Sequence, residues 1–144
     1  MNGSKQVLER NITAYNARDL DGYLSNQQAD VQFVLPGGIK LKGRDEVGQF
    51  TQAMWSAFPD GTLEFGRQVI GDGTAATELV FTGTHTGPMT TPNGAIPPAG
   101  KRVNVQSVSI LEIKDGLVAS EHVYLDQLEM MSQLGLAPTP PSGG

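Results

Sequence analysis

The stretch K-R-V-N-V-Q-S-V-S-I-L-E-I-K-D-G-L-V-A-S-E-H-V-Y-L-D-Q-L-E-M-M, residues 101–131, holds two strand patterns about one turn, and how it folds decides the architecture. From Arg102 to Ile113 apolar and polar residues alternate, the period of a strand with one dry face. Lys114-Asp115-Gly116 supplies the turn, since Asp-Gly accepts the positive φ values of a tight hairpin. On the return strand a period of two places Val118, Ser120, His122, Tyr124 and Asp126 on one face, and Ser107 and Ser109 share that parity on the strand before. We assign this face to a cavity wall. Asp126 stands where alternation gives way to D-Q-L-E-M-M-S-Q-L-G, so it is also placed to cap a short helix that Gly135 ends.

Upstream, residues 62–85 repeat the strand pattern as a second hairpin about Asp72-Gly73. A Pro- and Gly-rich connection from Gly87 to Gly100 joins the two hairpins and is long enough to be a lid. Before the hairpins come helical patterns. Residues 4–18 carry Leu8, Ile12 and Tyr15 on one stripe with Ser4 as a cap, and Asp19 caps a shorter helix with Leu20, Tyr23 and Leu24. V-Q-F-V-L-P-G-G reads as a strand with I-K-L returning beside it. The third helix carries Val47, Phe50, Met54 and Phe58 and is stopped by Pro59. Helices followed by a long antiparallel meander specify an α+β fold. A twisted sheet curled around helices is a cone, and its mouth opens on an apolar cavity, the place to look for function.

Composition narrows the classes. The 144 residues, 38% apolar and 17% charged, describe a globular chain with one domain over residues 1–137 and a disordered Pro/Gly tail over 138–144. A net charge of −5 with scattered Lys and Arg leaves no basic stripe, so no nucleic-acid partner is expected. No run approaches the ~20 apolar residues of a membrane span, and the start lacks a signal-peptide layout, so no membrane partner and a cytoplasmic location are expected. The absence of cysteine removes disulfides, thiolate ligands and Cys nucleophiles.

G-D-G-T-A-A, residues 71–76, matches a dinucleotide fingerprint only formally, because the residues after it alternate as a strand and open no helix. The sequon at Asn11 falls inside a helix. His85 and His122 lie in no metal-ligand spacing, so no metal is expected, and no serine sits in a nucleophile elbow. Among the aromatic and Met residues, Phe33, Trp55, Phe58 and Met89 are core residues that also border the pocket, with Trp55 and Met89 nearest its mouth.

Y-N-A-R-D-L-D (15–21), F-T-G-T-H-T-G-P-M (81–89) with I-P-P-A-G-K-R-V (96–103), and L-D-Q-L-E-M-M-S-Q-L-G-L (125–136) resemble the SnoaL-like polyketide cyclases of the NTF2-like superfamily. The likeness runs to about Ala137. It implies a cone-shaped, NTF2-like (cystatin-like) α+β fold, a curved antiparallel sheet wrapped around N-terminal helices, and dimers or tetramers built through the outer sheet face. It also implies an intramolecular aldol closure of a hydrophobic, carbonyl-rich substrate without metal or organic cofactor, with Asp126 as acid/base. The histidine these cyclases carry on the preceding strand aligns with Ser109, which does not titrate, so His122 is the candidate second catalytic residue. Tyr15, Phe33, Trp55, Phe58, His85, Met89, Ser109 and Tyr124 are the expected substrate-binding set. Two alternatives stand beside this: a non-catalytic ligand-binding or assembly module in which Asp126 only caps its helix, and a ketosteroid-isomerase-like or epoxide-hydrolase-like enzyme, with Tyr15 imitating the isomerase's oxyanion-hole tyrosine.

Overall fold

The computed structural model describes residues 3–91 and 94–136. Residues 138–144, expected as a disordered tail, lie outside the described residues. Three helices are interleaved with the first strands: α1 (Gly3–Asn16), α2 (Leu20–Ser25), β1 (Gln27–Leu35), β2 (Ile39–Lys42) and α3 (Gly43–Ala57). The meander comes next as β3 (Thr62–Ile70), β4 (Thr74–Thr84), β5 (Met89–Thr91), β6 (Gly94–Ile96), β7 (Arg102–Lys114) and β8 (Leu117–Leu125), closed by α4 (Gln127–Gln133).

Local chemistry explains most boundaries. Asp19 caps α2 by accepting from the Gly22 N–H at 3.0 Å, and Asp126 caps α4 by accepting from the Glu129 N–H at 3.0 Å. At the start of α3 the Glu46 carboxylate reaches back and accepts from the N-cap Lys42 N–H at 2.9 Å. The β7–β8 turn has Asp115 and Gly116 at φ 53° and 73°, the left-handed pair a two-residue hairpin requires. Ser4 departs from expectation. It lies within α1 rather than at its cap, and its hydroxyl donates to the Gly71 carbonyl at 3.2 Å, tying α1 to the β3–β4 turn.

The main sheet runs β2-β1-β8-β7-β4-β3 and does not close, because β2 and β3 are its two edges. Every neighbouring pair is antiparallel except β1 and β8, which run parallel. The expected antiparallel meander holds from β3 to β8, and the one parallel seam is where β1, which precedes it, joins β8. The first strand inserts beside the last, and the long chain between them serves as the crossover that parallel pairing needs. The Gly87–Gly100 connection is likewise not structureless, since β5 and β6 form a small hairpin in it that packs against α3.

Register shifts interrupt β1, β3 and β8, and such bulges bend strands around what they cover. Two apolar clusters fill the concavity. One joins Val7, Leu8, Tyr15 and Tyr23 of the first helices to Val31, Phe33, Leu111 and Val118 of the sheet. The other gathers Ala57, Phe58, Val103, Val105 and Leu134, with Met54, Met89 and Met130 against it, where α4 and the β5–β6 hairpin cover the sheet's far end.

Candidate functional site

A bulge in β8 decides which residues face the interior. Ser120 pairs with Glu112, yet Val118 pairs with the next residue, Ile113, so Ala119 is the extra residue of the strand. Past it the alternation changes phase: Val118 is buried, and so then is Glu121, with Val123 and Leu125 partly buried behind it. A one-residue slip sends every later side chain to the other face. The expected wall of His122, Tyr124 and Asp126 is therefore on the outside. Tyr124 is half exposed and stacks on His122 with centroids 4.2 Å apart. Asp126 is exposed and occupied in capping α4. The acidic side chain on the concave wall is Glu121.

Glu121 lies against Ser109 and Tyr23, and Gln27 and Thr51 lie in turn against Tyr23. Ser109 of β7, Gln27 of β1, Thr51 of α3 and Tyr23 of α2 are all buried. Glu121 Oε1, Ser109 Oγ, both amide atoms of Gln27 and the Trp55 Nε1 are enclosed without a hydrogen-bond partner. Such orphans are expensive and rare; a sixth, His85 Nε2, lies apart beside Phe58, but the Glu121 and Ser109 atoms are neighbours, and an orphaned carboxyl oxygen beside an orphaned hydroxyl marks a site rather than ordinary core. Burial pushes the Glu121 carboxyl up to about 7, and the nearby Ser109 hydroxyl offsets only part of that. Tyr23 is driven well above 10 by burial, by Glu121 and by Tyr15, while Gln27 and Thr51 pull the other way. Tyr15 is pushed up to about 12 by burial, partly offset by Arg18. At neutral pH the site thus holds a carboxyl that takes up or releases a proton beside two phenols that keep theirs.

A cavity of about 40 Å³ adjoins this group, with Tyr15, Tyr23, Thr77 and Glu121 as polar walls and Leu8, Ile12, Leu63, Phe65, Leu79 and Leu111 among the rest. It has room for one small functional group. A larger hollow of about 610 Å³ between α1 and α2 is a surface groove lined by Glu9, Arg10 and Asp19, and it contains none of the buried polar residues.

Of the residues expected at the site, Tyr15 lines the cavity with Glu121 and Ser109 lies beside its carboxyl, while Trp55 touches this group only through Tyr15. Tyr15 packs edge-on to Tyr23 and Trp55 at 5.8 and 5.5 Å between centroids, and Arg18 covers the indole at 5.6 Å. Phe33 is buried in the first cluster against Phe50. Phe58, His85 and Met89 belong to the other end of the concavity, where Phe58 sits between Phe81 and His85. His85 is fully buried. Its Nδ1 accepts from the Ala99 N–H at 3.1 Å, and burial lowers its proton affinity despite a backbone contact from Gly87. Among the described residues no three His, Asp or Glu side chains converge to hold a metal ion.

Sequence reasoning missed Glu121, Tyr23, Gln27 and Thr51. The available signal was V-A-S-E, in which the small pair Ala119-Ser120 interrupts the alternation and a glutamate then falls on the parity of Val123 and Leu125.

A family model described as SnoaL-like polyketide cyclase matches residues 5–134. Comparison with curated proteins returns no match. Among solved structures, a SnoaL-like protein from Jannaschia sp. CCS1 is 16% identical with a TM-score of 0.82, covering 94% of each chain. TsrD from Streptomyces laurentii is 25% identical, TM-score 0.79, over 93% of this chain and 96% of that one. An NTF2-like protein of unknown function from Burkholderia pseudomallei is 18% identical, TM-score 0.77, over 93% and 98%. These likenesses establish the NTF2-like fold. No described helix is long and apolar enough to cross a membrane.

Proposed function

Since the chain belongs to the SnoaL-like polyketide cyclase family, we propose that it transfers protons at a carbon beside a carbonyl of a small hydrophobic substrate, as an aldol cyclase or isomerase, with Glu121 in the acid/base role. The observation that carries this is a buried carboxyl held near 7 in a cavity that it shares with two protonated phenols. Glu121 takes the acidic C–H proton, and the Tyr15 and Tyr23 hydroxyls donate to the enolate oxygen that forms. In a cyclisation the enolate carbon attacks a second carbonyl carbon, a C–C bond forms, and the new alkoxide recovers the proton from Glu121. The same first half, with the proton returned elsewhere along the conjugated system, is an isomerisation. Asp126 is exposed and already accepts a backbone N–H, which supports moving the role from it to Glu121.

The outer sheet face supports the expected homodimer. Val108, Ile110 and Tyr124 are exposed there on the neighbouring strands β7 and β8, and Val69 on β3 with β4 between, a patch of the kind that self-association covers.

Proton transfer is tested with 2-tetralone in D2O, following deuterium entry beside its carbonyl by NMR over the uncatalysed background. Wild-type protein accelerates exchange, and the rate climbs as pH rises through about 7, as a base with the Glu121 affinity requires. Glu121→Gln lowers the rate by about a hundredfold or more. Exchange undiminished in Glu121→Gln removes Glu121 from the reaction. A second reading, a ligand-binding module without turnover, is favoured by the small volume of the cavity, and it is the outcome if wild type binds the ketone and exchanges nothing.

A further inference from the structure

The Glu121 cavity lies beneath the line where α1 meets β3, and the two elements are joined differently along that line. Among the described residues, hydrogen bonds close it only at its ends. Near the start of α1, Ser4 Oγ donates to the Gly71 carbonyl just beyond β3 at 3.2 Å. At the last residue of α1, the Asn16 amide grips one residue of β3 twice, donating to the Leu63 carbonyl and accepting from the Leu63 N–H, both at 2.9 Å. Between these clamps Leu8, Asn11 and Ile12 of α1 face Leu63 and Phe65 of β3 across the cavity. Exposure is graded inward: Asn11, Ile12, Leu63 and Phe65 are partly exposed, whereas Leu8, Leu111 and Glu121 beneath them are buried.

β3 suits a movable wall. It is one of the sheet's two edge strands, with no strand beyond it among the described residues. Its ladder with β4 is interrupted between Phe65 and Gln68, where Arg67 is held to Glu78 of β4 by side-chain bonds instead, so the segment against α1 can shift about that point without unzipping the rest. The far end of the concavity is built otherwise. There Leu134 is buried, and the Gln133 amide holds both the N–H and the carbonyl of Asn104, at 2.7 and 2.9 Å.

We infer that the α1–β3 seam is the entrance to the Glu121 cavity and the seat of the ligand's apolar body, with Asn16 as its latch. The cavity of about 40 Å³ accommodates one polar functional group, so the hydrocarbon of any larger ligand needs an adjoining apolar surface. Ile12, Leu63 and Phe65 provide it. The ligand is a hydrophobic molecule that enters with its polar end leading. Its chemical identity rests on the proposed function, but the route does not.

The chain has no cysteine, so a single thiol reports access cleanly. Thr77 lines the cavity and is buried, and Thr77→Cys changes its volume little. Leu79→Cys, on the same wall, is the second reporter should the first fail to fold. Each is exposed to methyl methanethiosulfonate, a small neutral reagent, and the modification rate is read by mass spectrometry. Adding Asn16→Ala removes both bonds of the latch and raises the rate about tenfold. Adding Gln133→Ala, which frees α4 at the far end, leaves it unchanged. Acceleration by Gln133→Ala alone places the entrance under α4 and overturns the inference. Equal acceleration by both shows access through general loosening, and no acceleration by Asn16→Ala denies the latch; either also overturns it. The thiol reads access and not turnover, so a failure here is distinct from a failure of the ketone exchange.

Discussion

Replacing Glu121 by glutamine tests the buried carboxyl without any substrate. The two side chains have nearly the same shape, and at low pH both are neutral, so the proteins should then be about equally stable. As pH rises past 4.5 the carboxyl ionises in the unfolded chain, while the folded protein keeps its proton until about 7. Across that window the native state binds more protons than the unfolded one, so the free energy of unfolding falls as pH increases. The gap from 4.5 to about 7, at about 1.4 kcal/mol per unit, comes to roughly 3 kcal/mol. Glu121→Gln has no such loss, so above neutrality the variant is the more stable protein. For a chain of this size the difference is worth about 10 °C in the melting temperature.

Other groups titrate but do not confuse the comparison. His85 has a depressed affinity, so its stabilisation is present above 6.5 and is lost as pH falls below that, the opposite sign to Glu121. Asp60, bonded by Thr84, and Glu78, bonded by Arg67, also have depressed affinities, and what they contribute is lost only as pH falls below the usual carboxylate range. All three are common to both proteins and cancel in the difference. Urea unfolding of the pair in steps from about pH 4 to about pH 9 therefore isolates Glu121. A difference between the two proteins that stays constant across that range would refute the claim that the folded structure holds this carboxyl protonated.

The outward-facing residues give two further expected outcomes. Asp126→Ala should cost about 1 kcal/mol in urea unfolding through loss of the α4 cap, whereas Asp126→Asn, still able to cap, should change neither stability nor 2-tetralone exchange; lost exchange in the asparagine variant returns the acid/base role to Asp126. Ile110→Lys, on the exposed apolar face between β4 and β8, should halve the mass seen by analytical ultracentrifugation of a wild-type dimer, and an unchanged mass would move the interface elsewhere.

Much of the fold was readable because its signals are local. Asp19 and Asp126 cap helices through their own side chains, and Asp115-Gly116 turns its hairpin because those two residues tolerate positive φ. Periodicity also found the strands and the order of helices before meander. The sheet's parallel seam was not readable, because β1 and β8 are far apart in sequence and their pairing depends on the whole intervening chain. The β5–β6 hairpin was hidden for a different reason: its strands are three residues each, too short for a period to show.

The site divides along the same line. The α+β class and the apolar concavity were legible from composition, alternation and turn chemistry, which act within a few residues of one another, and the family from motifs such as F-T-G-T-H-T-G-P-M. Which carboxylate the cone encloses depends on how the strands meet in three dimensions. Ala119 has no partner of its own opposite it on β7, and that single unpaired residue reverses the strand, turning His122, Tyr124 and Asp126 to the outside and Glu121 in. A bulge is set by how two strands meet and by the core each must bury. The rise in Glu121's proton affinity likewise comes from burial among Tyr23, Ser109 and the surrounding core, neighbours that only folding brings together.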